Sequence, residues 1–164
     1  MTRALVALGS NLGARREQLD AAVAALAALP GTAVLAVAPL IETAPVDAPP
    51  GSGAFLNGAC LLETALSPET LLAALAALED AAGRQRSERN APRTLDLDLL
   101  LHGQNCRDTP ALQLPHPRLH ERLFVLEPAA ALAPDWVHPR LHRTLAELRD
   151  ACRRQSAEDA ACRS

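Results

Sequence analysis

Two stretches of helical period set among four strand-like stretches, in the order β-α-β-β-α-β, predict an α+β fold of the ferredoxin-like type. Such a fold lays helices on one face of a mostly antiparallel sheet, an α/β sandwich. Further helical sequence after that core predicts extra C-terminal helices. The length agrees: 164 residues suffice for one domain with its own core, and no internal repeat or composition break divides them. A single domain over residues 1–164 is expected, with 155–164 as a frayed tail. Hydrophobic residues make up 49% of the chain and charged residues 21%, which excludes a disordered polymer.

Ala4 to Leu8 (ALVAL) is short and continuously apolar, as a central strand is. Gly9-Ser10-Asn11-Leu12-Gly13 reads as a turn. A glycine-rich turn before a helix can cradle phosphate, but GSNLG by itself is a weak signal and a plain structural turn is the better default. Arg15 to Leu29 places Leu19, Val23 and Leu26 at helical spacing and ends at Pro30-Gly31. Thr32 to Glu42, rich in Val, Leu and Ile, predicts the second strand. Thr43 to Ala54 (TAPVDAPPGSGA) packs prolines and glycines into a long loop between strands, which reads as a lid over a substrate. Phe55 to Thr64 is the third strand.

Ser67-Pro68 then opens a helix, with serine as N-cap and proline at the first helical position. That helix runs to about Ala82, with Gly83 as a C-cap candidate. Glu79 falls in its last turn, where the helix dipole disfavours an acid, a hint of a ligand role. After the next strand come a hairpin around His102-Gly103-Gln104 and a short strand over Ala111 to Leu114. An apolar helix follows over Leu123 to Leu132, then a second from Thr144 to about Arg154.

The chemistry concentrates in Arg84 to Leu101, RQRSERNAPRTLDLDLLL. Arg84, Arg86, Arg89 and Arg93 precede a pair of acids, Asp96 and Asp98. Asn90-Ala91-Pro92 forbids a helix there, because proline lacks an N–H and steers its predecessor to extended geometry. Leu95-Asp96-Leu97-Asp98-Leu99 alternates strictly. On a strand both carboxylates share a face, roughly 6.5–7 Å apart along the chain. On a helix they would diverge by about 200°. Aligned carboxylates suit a hard divalent cation, and Mg²⁺ is usually held by one or two carboxylates plus substrate phosphates. Neighbouring arginines would neutralise the remaining phosphate charge through bidentate contacts. The combination describes a polyphosphate site. Further on, His116 and His120 stand four apart among prolines, which argues against one helix presenting both to zinc.

Composition narrows the function classes. All sixteen basic residues are arginine, so no Walker-type lysine exists. A net charge of −3 argues against a general binder of nucleic acid or membrane surfaces. Cys60, Cys106, Cys152 and Cys162 show no CxxC spacing and read as reduced, incidental thiols. No apolar run approaches the ~20 residues that span a bilayer, and no signal peptide is evident. A soluble, cytoplasmic protein is expected, monomeric and acting on small molecules.

Five segments resemble, in order, those of the 6-hydroxymethyl-7,8-dihydropterin pyrophosphokinase family of folate synthesis. They are ALGSNLG (Ala7 to Gly13), ETAPV (Glu42 to Val46), FLNGA (Phe55 to Ala59), RNAPRTLDLDLLL (Arg89 to Leu101) and LPHPRLHERLFVLEPA (Leu114 to Ala129). The resemblance covers roughly residues 3 to 147, and RxxPRTLDLD followed by PHPR is its most specific part. It implies transfer of the β,γ-diphosphate of ATP to the hydroxymethyl oxygen of the pterin, with release of AMP. Asp96 and Asp98 match the carboxylates that bind two Mg²⁺ ions. Arg84 and Arg93 match arginines that close on the triphosphate, with Arg86 near them. Glu79, His116 and Arg122 match nucleotide-side residues. Thr43, Val46 and Asn57 match contacts to the pterin ring, and Asp96 lies on the pterin side as well. Phe55 and Phe124 match the aromatic pair that sandwiches the ring.

The chain has only two phenylalanines and no tyrosine, and both phenylalanines fall at the expected pocket edges. It departs from many members in carrying Phe55 for tyrosine, and from some in carrying Asn90 for tryptophan and Pro117 for tyrosine. Two rival classes compete. A nucleotidyltransferase of the polymerase-β-like type also pairs a Gly-Ser turn with a DxD strand. It keeps them close in sequence, whereas Gly9-Ser10 and Asp96 here are separated by two further strands and two helices. An RNA-binding ferredoxin-like module would use the arginine loop, but paired aspartates on the sheet would repel phosphate.

Overall fold

The central strand is β1, Thr2–Ser10, with neighbours on both sides. The computed structural model describes residues 1–10, 15–43, 55–84 and 95–162. After β1 come α1 (Arg15–Ala27), β2 (Thr32–Val37), β3 (Ile41–Thr43), β4 (Phe55–Thr64), α2 (Pro68–Arg84) and β5 (Asp96–His102). Then follow β6 (Arg107–Asp108), β7 (Gln113–Leu114), a 3-10 turn over Leu119–Glu121, α3 (Leu123–Leu132) and α4 (Leu145–Cys162). The sheet order is β2-β4-β1-β5, with β3 on the same side of β4 as β2, and every pairing is antiparallel. This is the ferredoxin-like βαββαβ order that the sequence predicts, with β2, β4 and β5 as its second, third and fourth strands.

The sheet is covered on both faces. Leu19 and Leu26 of α1 and Leu71 and Leu75 of α2 pack on Val6, Leu8, Leu62, Leu97 and Leu99. Val125, Leu126 and Ala129 of α3 and Leu145 and Leu148 of α4 pack on Leu5, Ala59, Leu61, Leu100 and Leu101. The helices of the core motif do share one face, and the C-terminal helices close the other. A bulge makes the second core possible. Leu5 pairs with Leu101 and Val6 with Leu99, so Leu100 is extra and the alternation breaks. Leu99 faces α1 and α2, whereas both Leu100 and Leu101 face α3 and α4.

Several local expectations are corrected. The strand expected over Thr32 to Glu42 is two pieces, interrupted at Ala38-Pro39-Leu40. Proline has no N–H for a ladder, and Ala38 N–H bonds Ala59 O at 2.9 Å just before it. Helix α1 ends at Ala27 rather than Leu29, followed by a turn in which Gly31 adopts φ 59°. Gly9 and Ser10 belong to β1 rather than to a turn. Helix α2 continues through Gly83 to Arg84, so Gly83 is no cap. Its start is as expected, with Thr70 N–H donating to Ser67 Oγ at 3.1 Å. The segment after β5 turns at Gly103 (φ 54°), but β6 pairs with β7 rather than returning along β5.

Helix α4 runs to Cys162, past the expected end near Arg154. Thr144 and Glu147 form a reciprocal cap at its start, with bonds of 3.1 and 3.0 Å. Beyond Arg154 the helix holds through good helix formers and a Gln155–Asp159 bond of 3.1 Å one turn apart. Arg153 also reaches back to α3, donating to both carboxylate oxygens of Glu127 at 2.6 Å.

Before α4 the chain wraps a buried histidine. His138 is 4% exposed, and its Nδ1 accepts the N–H groups of Arg140 (3.2 Å) and Leu141 (3.1 Å). Burial, then the nearby His120, Arg140 and His142, push its pKa down to about 4. The folded state therefore disfavours the proton, and the unfolded state, near 6.5, binds it more readily. Stability is fully present above about pH 6.5 and is lost as pH falls towards 4, on the order of 3 kcal/mol for this group. We expect His138→Asn, which keeps an acceptor but cannot titrate, to be less stable than wild type at pH 7.5. Urea unfolding at pH 7.5 and 4.5 should show that gap narrowing at the lower pH.

Candidate functional site

Leu95, Leu97 and Leu99 are 5, 3 and 3% exposed and fixed in the core against α1 and α2. The alternating Asp96 and Asp98 must therefore share the opposite face. Asp96 is half-buried and Asp98 exposed. Register places them over small residues. Asp96 pairs with Gly9, and Gly9 with Asn57; Asp98 pairs with Ala7, and Ala7 with Ala59. The acids and Asn57 therefore flank Gly9 and Ala7, with Ala59 next along already buried under α3. A Cβ built on Gly9 would lie 3.4 Å from Asn57 Oδ1 and 3.9 Å from Asp96 Cβ, so glycine keeps the space between those side chains open. Gly9 thus belongs to β1 and the candidate site rather than to a turn. Its signal is visible only once the register is known.

His116 lies beside the middle of β5, within range of the charge on Asp98. Its N–H bonds Leu100 O at 3.0 Å, and its Nδ1 accepts the N–H of Arg118 at 3.2 Å. Burial lowers its pKa, partly offset by the charge of Asp98. The ring is therefore neutral near pH 7, with Nδ1 occupied as an acceptor and Nε2–H left as a donor. His120 sits within the 3-10 turn and His116 before it, so the two histidines do not form a helical pair. Arg122 and Phe124 stand together at the start of α3, with the guanidinium 5.9 Å from the ring centre and Phe124 37% exposed. Glu79 is half-buried at the end of α2, and its Oε2 accepts the N–H of Leu97 at 3.3 Å.

The structure thus gathers Asp96, Asp98, Asn57, His116 and Glu79 along one end of the sheet. Thr43 pairs with Phe55 through the backbone of β3 and β4, and Arg84 ends α2. The side chains of Thr43, Phe55 and Arg84 lie outside the described residues, as do Val46, Arg86, Arg89, Arg93 and the Pro/Gly loop read as a lid. Among the described residues no group of three or more His, Cys, Asp or Glu could hold a metal unaided. Two aligned carboxylates, one exposed, instead fit an ion that completes its coordination with substrate oxygens.

Fold and site together define an α+β protein of the ferredoxin-like type that carries an acid pair on one face of a sheet strand. The family model described as "7,8-dihydro-6-hydroxymethylpterin-pyrophosphokinase (HPPK)" matches residues 5–134, and the chain belongs to that family. It is 48% identical over 150 residues to the 2-amino-4-hydroxy-6-hydroxymethyldihydropteridine pyrophosphokinase of Pseudomonas aeruginosa, covering 92% of this chain and 91% of that protein. It is 43% identical to the protein of the same name from Bacillus subtilis over 129 residues, 79% of this chain and 77% of that one. It is 41% identical to the folic acid synthesis protein fol1 of Schizosaccharomyces pombe, covering 90% of this chain but 20% of that longer protein. Among solved structures, wild-type HPPK-DHPS of Plasmodium falciparum superposes with a TM-score of 0.71 at 13% identity. The match covers 92% of this chain and 44% of that one, and at this identity it speaks for the fold alone.

Proposed function

We propose that the protein transfers the terminal diphosphate of ATP to the hydroxymethyl group of 6-hydroxymethyl-7,8-dihydropterin, releasing AMP. The observation that carries this reading is the acid pair held on one face of β5, in a chain of this family. The pterin hydroxymethyl oxygen attacks the β-phosphorus in line. The bond from that phosphorus to the α,β-bridging oxygen breaks, and AMP leaves with the oxygen. No covalent intermediate with the protein is required.

Asp96 and Asp98 would hold magnesium, two ions in our reading, with Asp96 also bordering the pterin. When bound, magnesium supplies neutralisation of the charge on the phosphates. Arg84, Arg86 and Arg93 would close on the triphosphate, bringing charge-assisted donors to its oxygens. His116, Arg122 and Glu79 would serve the nucleotide side. Thr43, Val46 and Asn57 would contact the pterin, and Phe55 and Phe124 would stack on its two faces. Phe124 is a third exposed and Asn57 is aimed over Gly9, as ligand-facing groups would be.

The whole chain, residues 1–164, acts in this reading as one domain and a monomer in the cytoplasm, on small molecules rather than nucleic acid or membranes. A sheet covered on both faces by the chain's own helices supports the monomer. The negative net charge speaks against nucleic acid, and no described helix is long and apolar enough to cross a membrane.

Incubation with ATP, Mg²⁺ and the hydroxymethyl-dihydropterin should yield AMP, read by ³¹P NMR; release of pyrophosphate would point to nucleotidyl transfer instead. Asp98→Ala should cut turnover by about three orders of magnitude or more. Because Asp98 is exposed, its melting temperature should stay within about 2 °C of wild type. Near-normal turnover would refute the metal assignment. Gly9→Ala places a methyl between Asn57 and Asp96 without a clash. We expect a KM for the pterin raised about tenfold, an unchanged KM for ATP and an unchanged melting temperature.

A further inference from the structure

Among the described residues β5 is the outer strand of the sheet beyond β1, so alternate backbone N–H groups along it face no further described strand. At Leu97, the residue between the two acids, that N–H is received by a side chain. Glu79 Oε2 lies 3.3 Å away, from the end of α2. Glu79 is half-exposed and stands five residues before the end of α2, on the part of the helix that packs beside β5. Leu97 is meanwhile 3% exposed, its side chain seated in the core. Glu79 from one side and the core from the other thus fix the peptide from which both Asp96 and Asp98 project.

We propose that Glu79 is a positioning residue that acts through the Leu97 N–H to set the spacing and direction of the Asp96 and Asp98 carboxylates. The inference rests on the function proposed above and departs from it at one point: family resemblance alone puts Glu79 against the nucleotide, whereas the geometry assigns it to the strand. An edge strand with an unanchored outer N–H opens locally more often, and two carboxylates on an opening strand spend less time at the separation an ion requires.

Amide hydrogen exchange on the ligand-free protein reads the contact without turnover. In wild type the Leu97 amide should be protected although no strand receives it. Glu79→Gln, which keeps an acceptor oxygen, should retain most of that protection, and Glu79→Leu should speed exchange about tenfold or more. In turnover, Glu79→Leu should raise the Mg²⁺ concentration for half-maximal rate about tenfold and lower kcat while changing the KM for ATP little, with Glu79→Gln intermediate. Two results overturn the proposal. One is a Leu97 amide that exchanges freely in wild type, which decides the matter even if Glu79→Leu fails to fold. The other is equal loss of affinity for a non-hydrolysable ATP analogue in both variants with Leu97 protection unchanged. Should wild type release no AMP, the function reading falls, while the exchange result still judges the contact.

Discussion

The burial of Leu95, Leu97 and Leu99 is the constraint on which the site depends. Each buried leucine contributes roughly 1.5–3 kcal/mol, and together they fix which side of β5 faces α1 and α2. The two aspartates have no freedom left: with a side-chain period of two, they project from the other face. A slip of one residue in register would drive both carboxylates into the core, at a cost no local packing could offset. The acid pair therefore needs no dedicated scaffold. It is what remains when an alternating strand is pinned on its apolar side.

The bulge at Leu100 extends that logic. The strand must serve two cores, one on each face, and must also leave its first residues uncovered. Adding Leu100 lets Leu100 and Leu101 both turn towards α3 and α4. Up to Asp98 the face carries the small residues Gly9 and Ala7, and Ala59 beside them lies under α3. One end of the sheet is thus closed by leucines and helices, while the other, among the described residues, carries polar groups. The neutral His116, with Nδ1 tied to Arg118, stands at the boundary between them.

Much of this was legible in the residues. The limits of β4 and of α3 follow from apolar runs with clear ends. The face shared by Asp96 and Asp98 follows from the alternation alone. What escaped was non-local or locally ambiguous. Thr32 to Glu42 is rich in Val, Leu and Ile, which outweighed the proline in its middle; pairing with β4 shows that the strand stops at Val37 and resumes at Ile41. The end of α4 has no apolar stripe, so periodicity could not extend it, although composition and the Gln155–Asp159 pair do. Gly9 looked like a turn glycine until Asn57 and Asp96 were found on either side of it. The Glu79 bond joins residues on different elements, and sequence showed only an acid in an unfavourable place.

The most direct measurement is paramagnetic broadening with Mn²⁺ in place of Mg²⁺ and a non-hydrolysable ATP analogue bound. The account predicts loss of the Asp96, Leu97 and Asp98 amide signals. The indole of Trp136 should broaden far less; it lies beneath Arg3, roughly 20 Å along β1 from Gly9. Sharp Asp96 and Asp98 signals under saturating metal and nucleotide would contradict it.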